Sequence, residues 1–271
     1  IKDKLAFMAG FVDMIEINST FYRPPDPKTA GKWTERVAAY PGFFFSAKLH
    51  KEITHEGVLS DDMVRAFREG LAPLVGAGRL RHLLTQFKYD FDNTPEHRAH
   101  LHKIKGTLDG LGEMVFELRH NSWQSPESLA FLSDLGVTVA NIDYPLGRNS
   151  FNLDQCLVGR EGYLRLHGRN AEAWFDKQAG RDETYDYLYS KGELKGICER
   201  ALKLARSFKS LTIVANNHYG GKEVVNALQI KNRLTGRKVK APPALVEKFP
   251  DLAEIALPEP EGNRHEEGML F

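Results

Sequence analysis

Seven short apolar runs, each followed by a longer charged segment, constrain this chain more than any other feature. The runs cover residues 12–18, 43–48, 79–87, 114–119, 137–143, 162–169 and 211–217. Segments with helical spacing fill the gaps at about 27–39, 61–75, 95–110, 126–135, 192–208 and 222–234. Asp26-Pro27, Ser60-Asp61, Thr94-Pro95 and Ser125-Pro126 each read as a helix start. In each, a side-chain oxygen can satisfy an orphan N–H, and the next residue suits a first turn. Short strands alternating with helices make βαβ units around a parallel sheet. Their Val, Ile, Leu and Phe content suits strands covered by helices.

A (β/α)8 barrel needs eight strands to close. Seven are legible, and the chain opens in a helix-like segment at 3–9. The expectation is therefore an α/β fold, a TIM-type (β/α)8 barrel whose first strand lies upstream of Ile1. The rival is an open doubly wound sheet, but no GxGxxG turn follows any run, which disfavours its dinucleotide-binding form. The 271 residues suffice for one barrel-sized domain. Residues 1–240 are assigned to it. Residues 241–271 read as a Pro-rich, acidic C-terminal tail, partly flexible, with one short helix near 243–248.

No run of eighteen apolar residues occurs, so no membrane span is expected. A formal net charge of +1 announces no polycation for nucleic acid, and any electrostatic steering must be local. Cys156 and Cys198 stand far apart without a metal-ligand spacing and read as core thiols of a cytoplasmic protein.

Strand side chains alternate between faces, so parity sorts each run. Ile15 and Ile17 oppose Glu16 and Asn18; Phe43, Phe45 and Ala47 oppose Phe44, Ser46 and Lys48. Phe116 and Leu118 oppose Val115, Glu117 and Arg119; Ala140 and Ile142 oppose Asn141 and Asp143. Leu164 and Leu166 oppose Arg165, His167 and Arg169, and Leu84 shares a side with Gln86. One face is apolar throughout. The other turns polar only towards the C-terminal strand ends, which in a barrel converge at the mouth that carries active sites. Glu16, Asn18, Lys48, Gln86, Glu117, Arg119, Asp143, Arg165 and His167 are thus expected in one polar cup. The plain alternative is a layer of buried ion pairs that plugs the barrel.

Two chemistries suit such a cup. In the first, Lys48, Arg119, Arg165 and Arg169 hold a small anion, and Glu16, Glu117 or His167 transfers a proton. Asn18, Asp143, Asn217 and the glycine turn at Gly220 would complete the binding set, since barrel phosphate sites commonly follow the last strands. In the second, Glu16, Glu117, Asp143 and His167 ligate a divalent metal for phosphodiester or nucleic-acid processing. No metal motif is present, and no cofactor is expected. A non-catalytic ligand-binding barrel is the third reading. His50 and His55 follow Lys48 and could supply an acid or base. Phe21, Tyr22, Trp123 and Trp174 follow strand ends, and Tyr185, Tyr187 and Tyr189 form a further aromatic group.

The blocks EINSTFY at 16–22, Lys48 to Thr54-His55, ELRHNSW at 117–123, YLRLHGR at 163–169, YDYLY at 185–189 and ANNHYGG at 215–221 resemble the YecE-like family of domains of unknown function. The resemblance spans about residues 5 to 235, in order. It implies a TIM-barrel-like fold from bacteria or archaea, with no established activity, and an extra opening strand. It supports Glu16, Asn18, Lys48, Glu117, Arg119, Arg165, His167, Arg169 and Asn217 as site positions. The family's Gln-Leu-Pro-Pro is replaced by Gln86-Phe87-Lys88-Tyr89, which alters the loop there. The tail end, Glu267-Gly268-Met269-Leu270-Phe271, resembles a degenerate sliding-clamp-binding peptide, so Met269, Leu270 and Phe271 would dock on a clamp-type partner.

Overall fold

The computed structural model describes residues 3–258, with Arg181 by its backbone alone. Helix α1 (Lys4–Ala9) is capped by Asp3, whose carboxylate accepts from the Leu5 and Ala6 N–H groups. Then follow β1 (Met14–Ile17), α2 (Pro27–Arg36), β2 (Phe44–Lys48), α3 (Lys51–His55), α4 (Asp61–Gly76), β3 (Leu80–Gln86), α5 (Pro95–Leu108), β4 (Glu113–Glu117) and α6 (Pro126–Asp134). The second part comprises β5 (Thr138–Val139), β6 (Asn141–Asp143), β7 (Gly162–Leu166), α7 (Ala171–Phe175), α8 (Arg181–Thr184), α9 (Lys191–Ala205), β8 (Leu211–Ala215), α10 (Lys222–Thr235) and α11 (Pro243–Lys248). All four expected helix starts form: Asp26, Ser60, Thr94 and Ser125 each accept the backbone N–H three residues on.

The seven runs are all extended, and the run at 137–143 is split. β5 pairs with β4, whereas β6 pairs with β7. Between them the Ala140 N–H still reaches Phe116 O, and the Asn141 side chain clamps both backbone groups of Cys156 at 2.9 and 2.8 Å. An amide side chain thereby replaces the ladder partners that the break removes. The result is two parallel sheets, ordered β1-β2-β3-β4-β5 and β6-β7-β8, that share this one segment.

Parity assigns the faces correctly except at 137–143, where Ala140 and Ile142, expected outside, face the interior and Asn141 and Asp143 turn outward, because the Asn141 amide bonds the backbone of Cys156. Phe45, Leu83, Phe116 and Leu118 pack outward against the helices, with Phe67 and Trp123. Leu84, Val115, Ala140, Ile142, Tyr163 and Val214 form a second core inside the curl, and Met14 joins it. Side chains from β1 and β8 thus meet around one interior, and the α/β architecture is barrel-like.

Closure is incomplete. Among the described residues no ladder hydrogen bond joins β8 to β1. A cleft of about 670 Å³ runs between these edges, lined by Phe11, Met14, Ile213, Ala215, Leu228 and Ile230 among others. The expected short helix is α11; Leu245 and Leu252 are buried beside Val224 and Leu228 of α10, and a bridge pairs Val239 with Ala256. This part of the expected tail is packed against the body. Met269, Leu270 and Phe271 lie outside the described residues. No helix of the described residues is long and apolar enough to cross a membrane.

Candidate functional site

Arg165 organises the C-terminal end of the strands. Its position in β7 aims the guanidinium across the interior. Nε and one terminal nitrogen reach the two Glu16 oxygens at 3.1 and 2.6 Å, while the other nitrogen reaches Glu117 at 2.9 Å and Gln86 Oε1 at 3.0 Å. One side chain therefore ties β7 to β1, β3 and β4. Arg119 grips the second Glu117 oxygen with two bonds of 3.0 and 2.8 Å. Tyr163 donates to Glu16 and accepts from the Ser46 hydroxyl, both at 3.2 Å. Arg165, Glu117 and His167 are essentially sealed from solvent, at 1%, 0% and 0% exposure.

Such burial is tolerable only because each charge is multiply paired. Burial alone would raise the Glu117 carboxyl, but His167, Arg165 and Arg119 hold it well below the usual carboxylate range. Glu117 is thus a fixed negative charge. Burial pushes His167 down to about 4, leaving the imidazole neutral at pH 7. The Nε2–H tautomer satisfies its surroundings, donating to Glu117 at 3.2 Å while Nδ1 accepts from Asn216 at 3.3 Å.

Lys48, at the end of β2, differs from the other cations. Its ammonium lies 4.1 Å from the Phe21 ring centroid, and no hydrogen bond or ion pair to a described residue engages it. Burial, then the neighbouring Arg165, lowers its pKa to about 8. The inner group therefore holds three cations (Lys48, Arg119, Arg165) against two carboxylates (Glu16, Glu117), one positive charge in excess. His55, part-buried against the same Phe21 ring at 5.0 Å, is pushed down to about 4 chiefly by burial and adds no charge. His50 is buried and caps α3 by accepting the Glu52 N–H.

Asp143 and Arg169 form a separate set. Arg169 grips Asp143 at 2.9 and 2.7 Å and reaches Glu193 at 3.4 Å. Tyr189 donates to Asp143 and accepts the Gly168 N–H, and Tyr187 donates to Glu193. Gly168 has φ 87°, and a Cβ there would stand 2.7 Å from Tyr187 Cβ, so only glycine fits this anchor. This set fastens the loop ahead of α9. It lies on β6 and β7, separated from Lys48 by β3, β4 and β5, and carries one negative charge in excess.

Three expected positions point elsewhere. Asn18 begins a one-turn 3-10 helix, Asn18–Phe21, and is exposed beside the cleft between β8 and β1. Asn217 is buried and donates to Tyr187 O and Asn226, bracing the loop, while Asn216 faces His167. Gly220 takes a left-handed turn whose carbonyl accepts from Lys248, and Glu223 occupies the first turn of α10 where an anion would have to sit. Burial raises Glu223 to about 7, and its Oε2 has no hydrogen-bond partner among the described residues.

Parity could not find Glu223 or Glu193, because both sit on helices. The rim of the mouth is aromatic: Trp174 stands 5.9 Å from Tyr144 and 5.8 Å from Tyr185, Tyr185 stands 5.0 Å from His218, and the Arg119 guanidinium lies 5.4 Å from the Trp174 centroid. Trp174 and Tyr185 are signalled by the sequence; Tyr144 and His218 carry no comparable signal. No three His, Cys, Asp or Glu side chains among the described residues are grouped to hold a metal ion, since the carboxylates are taken by arginines.

A second charged cluster lies at the opposite strand ends. Arg81 pairs with Glu161 at 2.9 Å and Ser210 at 2.6 Å, beside a buried His82 whose ring stacks edge-on to Tyr163. Burial pushes His82 down to about 4, so Arg81 and Glu161 cancel.

Relatives share this arrangement at the level of fold. A DUF72 family protein of Enterococcus faecalis V583 superposes with a TM-score of 0.78 at 27% identity, over 86% of this chain and 88% of the other. One from Thermotoga maritima MSB8 gives 0.72 at 31% identity, over 82% and 85%. The UPF0759 protein YunF of Bacillus subtilis (strain 168) is 25% identical over 244 residues, 84% of this chain and 85% of its own length. These relatives carry the DUF72 and UPF0759 names rather than the YecE-like one. The profile of the protein of unknown function DUF72 matches residues 1–248, so the chain belongs to the DUF72 family.

Proposed function

We propose that the protein is an enzyme acting on a small anionic substrate, bearing phosphate or carboxylate, at the C-terminal mouth of the strands by acid/base chemistry. The observation that carries this reading is the uncompensated Lys48 ammonium: Arg119 and Arg165 are tied to Glu117 and Glu16, and Lys48 is tied to nothing described. A positive charge left without a counter-ion in a partly dry site is best neutralised by a ligand. Glu16, Glu117 and His167 brace the cations: Glu117, held well below the usual carboxylate range, and the neutral His167 imidazole keep their protonation states through the physiological range. Lys48, at about 8, is the mouth group able to give and take a proton near neutrality. The acidic Asp143 and Glu193 set keeps the anion to the Lys48 side. Trp174 and Tyr185 offer an apolar wall to the rest of the substrate.

Titrating the protein with inorganic phosphate and small carboxylates tests this. A saturable rise in melting temperature, lost in Lys48→Met, is expected; equal curves for both proteins would overturn it.

The barrel reading extends to the cleft between β8 and β1, taken as the seat of an eighth parallel strand. Both flanking edges carry unpaired ladder groups, and apolar side chains line the gap. Outer amides of β1 and β8 should exchange with solvent far faster than those of β3. Equal protection would mean that the two edges pair directly.

A further inference from the structure

We propose that Lys48 Nζ condenses with the carbonyl carbon of a small oxo acid, an aldehyde or ketone bearing a carboxylate or phosphate, to form an imine. This deepens the proposed function and rests on it for the anionic part of the substrate. The geometry singles out Lys48. It stands at the C-terminal end of β2, part-buried, with Nζ over the Phe21 ring and without a partner among the described residues. Every other cation of the mouth is held by carboxylates in charge-assisted bonds. An amine that donates to nothing keeps its lone pair free once deprotonated.

The groups facing Lys48 favour the neutral amine. Arg165 of β7 and Arg119 beyond β4 oppose the ammonium, Glu16 of β1 and Glu117 of β4 support it, and burial outweighs them all. His55 of α3 is uncharged at pH 7. With a pKa of about 8, roughly one Lys48 in ten is neutral at pH 7, against roughly one in three thousand for an ordinary lysine. Desolvation beside other cations is a recognised way to activate a lysine for imine formation. Neither cysteine competes at the mouth: Cys156 and Cys198 are buried in the outer cores, with the Cys156 thiol pushed up to about 11. Ser46 is buried and donates to Tyr163.

The condensation balances without a further reagent. The Nζ lone pair attacks the carbonyl carbon, a C–N bond forms, and the C–O bond breaks. The oxygen leaves as water with the two amine protons. No oxidant or reductant is consumed. The Phe21 ring covers one side of Nζ, limiting water's access for the reverse hydrolysis.

The test uses the intact protein with glyoxylate and cyanoborohydride, whose hydride reduces an imine to a stable secondary amine. Peptide mapping then reads each lysine. Lys48 should be modified roughly tenfold faster at pH 7 than exposed Lys28, Lys103 or Lys195, with a rate that levels off above about pH 8. Excess inorganic phosphate should slow Lys48 and leave the exposed lysines unchanged. Modification of Lys48 no faster than theirs overturns the imine. Fast modification that phosphate does not slow keeps the imine and overturns the anionic-substrate reading. Phosphate-dependent stabilisation with an unreactive Lys48 does the reverse.

Discussion

The mouth and the foot of the strand layer bury charged groups with similar parts and different sums. At the foot, Arg81 meets Glu161 and Ser210, and a neutral His82 lies alongside. Nothing is left over. At the mouth, Arg165 and Arg119 are equally well paired through Glu16 and Glu117, with a neutral His167, yet Lys48 remains as surplus. Buried ion pairs by themselves do not distinguish a plug from a site, because both ends have them. The unpaired group does. The mouth also has an aromatic rim, whereas the foot opens on a hollow lined by Phe44, Arg81, Glu113 and Glu161.

The largest effect is expected at Arg165. Replacing it with Met leaves Glu16 and Glu117 buried without their main counter-charge, so Arg165→Met should cost about 3–5 kcal/mol in urea unfolding. A cost under 1 kcal/mol would mean the hub is wetter than its burial implies. Acid should act on both ends together. His82 and His167 are held at about 4, below the usual 6.5, so the unfolded chain takes up protons first as pH falls. Stability is full above about 6.5 and declines until about 4, by about 3 kcal/mol for each fully buried histidine. His55 is held at about 4 as well and adds to the loss, so His82→Leu should remove only the His82 share of it; an unchanged pH profile would assign the sensitivity elsewhere. Arg81→Ala, at the part-exposed foot, should cost about 1–2 kcal/mol and leave ligand binding at the mouth intact. Smallest in stability is Lys48→Met, within about 1 kcal/mol of the parent because it removes a desolvated charge that has no partner. It should nonetheless abolish phosphate binding. This pairing of a costly Arg165 with an inexpensive, functionally decisive Lys48 is what separates brace from site.

Much of this was legible in the residues, for a definite reason. Period-two alternation in runs such as MIEIN and VFELR puts Glu16, Glu117 and Arg165 on the inner face whatever the helices do, and those three do meet. Helix starts were equally clear because Asp26, Ser60, Thr94 and Ser125 act through bonds three residues away. Parity says nothing about which cation pairs with which acid. Nor does it say which face of a run turns inward: Ala140 and Ile142 take the interior, so Asp143 points outward and with Arg169 anchors the loop carrying Tyr187 and Tyr189. Alternation also stops at strand ends: Asn18 enters a 3-10 turn, and Asn216 rather than the expected Asn217 faces His167. Glu223 and Glu193 lie on helices, where the strand argument has no purchase. The split at Ala140 left no mark either, because both halves stay extended.

Titration of the lysine side chains by NMR, with ¹³C at Cε, reads the charge state of Lys48 itself. One resonance, absent from Lys48→Met, should titrate near pH 8 and move upward when phosphate binds. If every lysine of the folded protein titrates above 10, the mouth holds no uncompensated amine, and the account of its chemistry is contradicted.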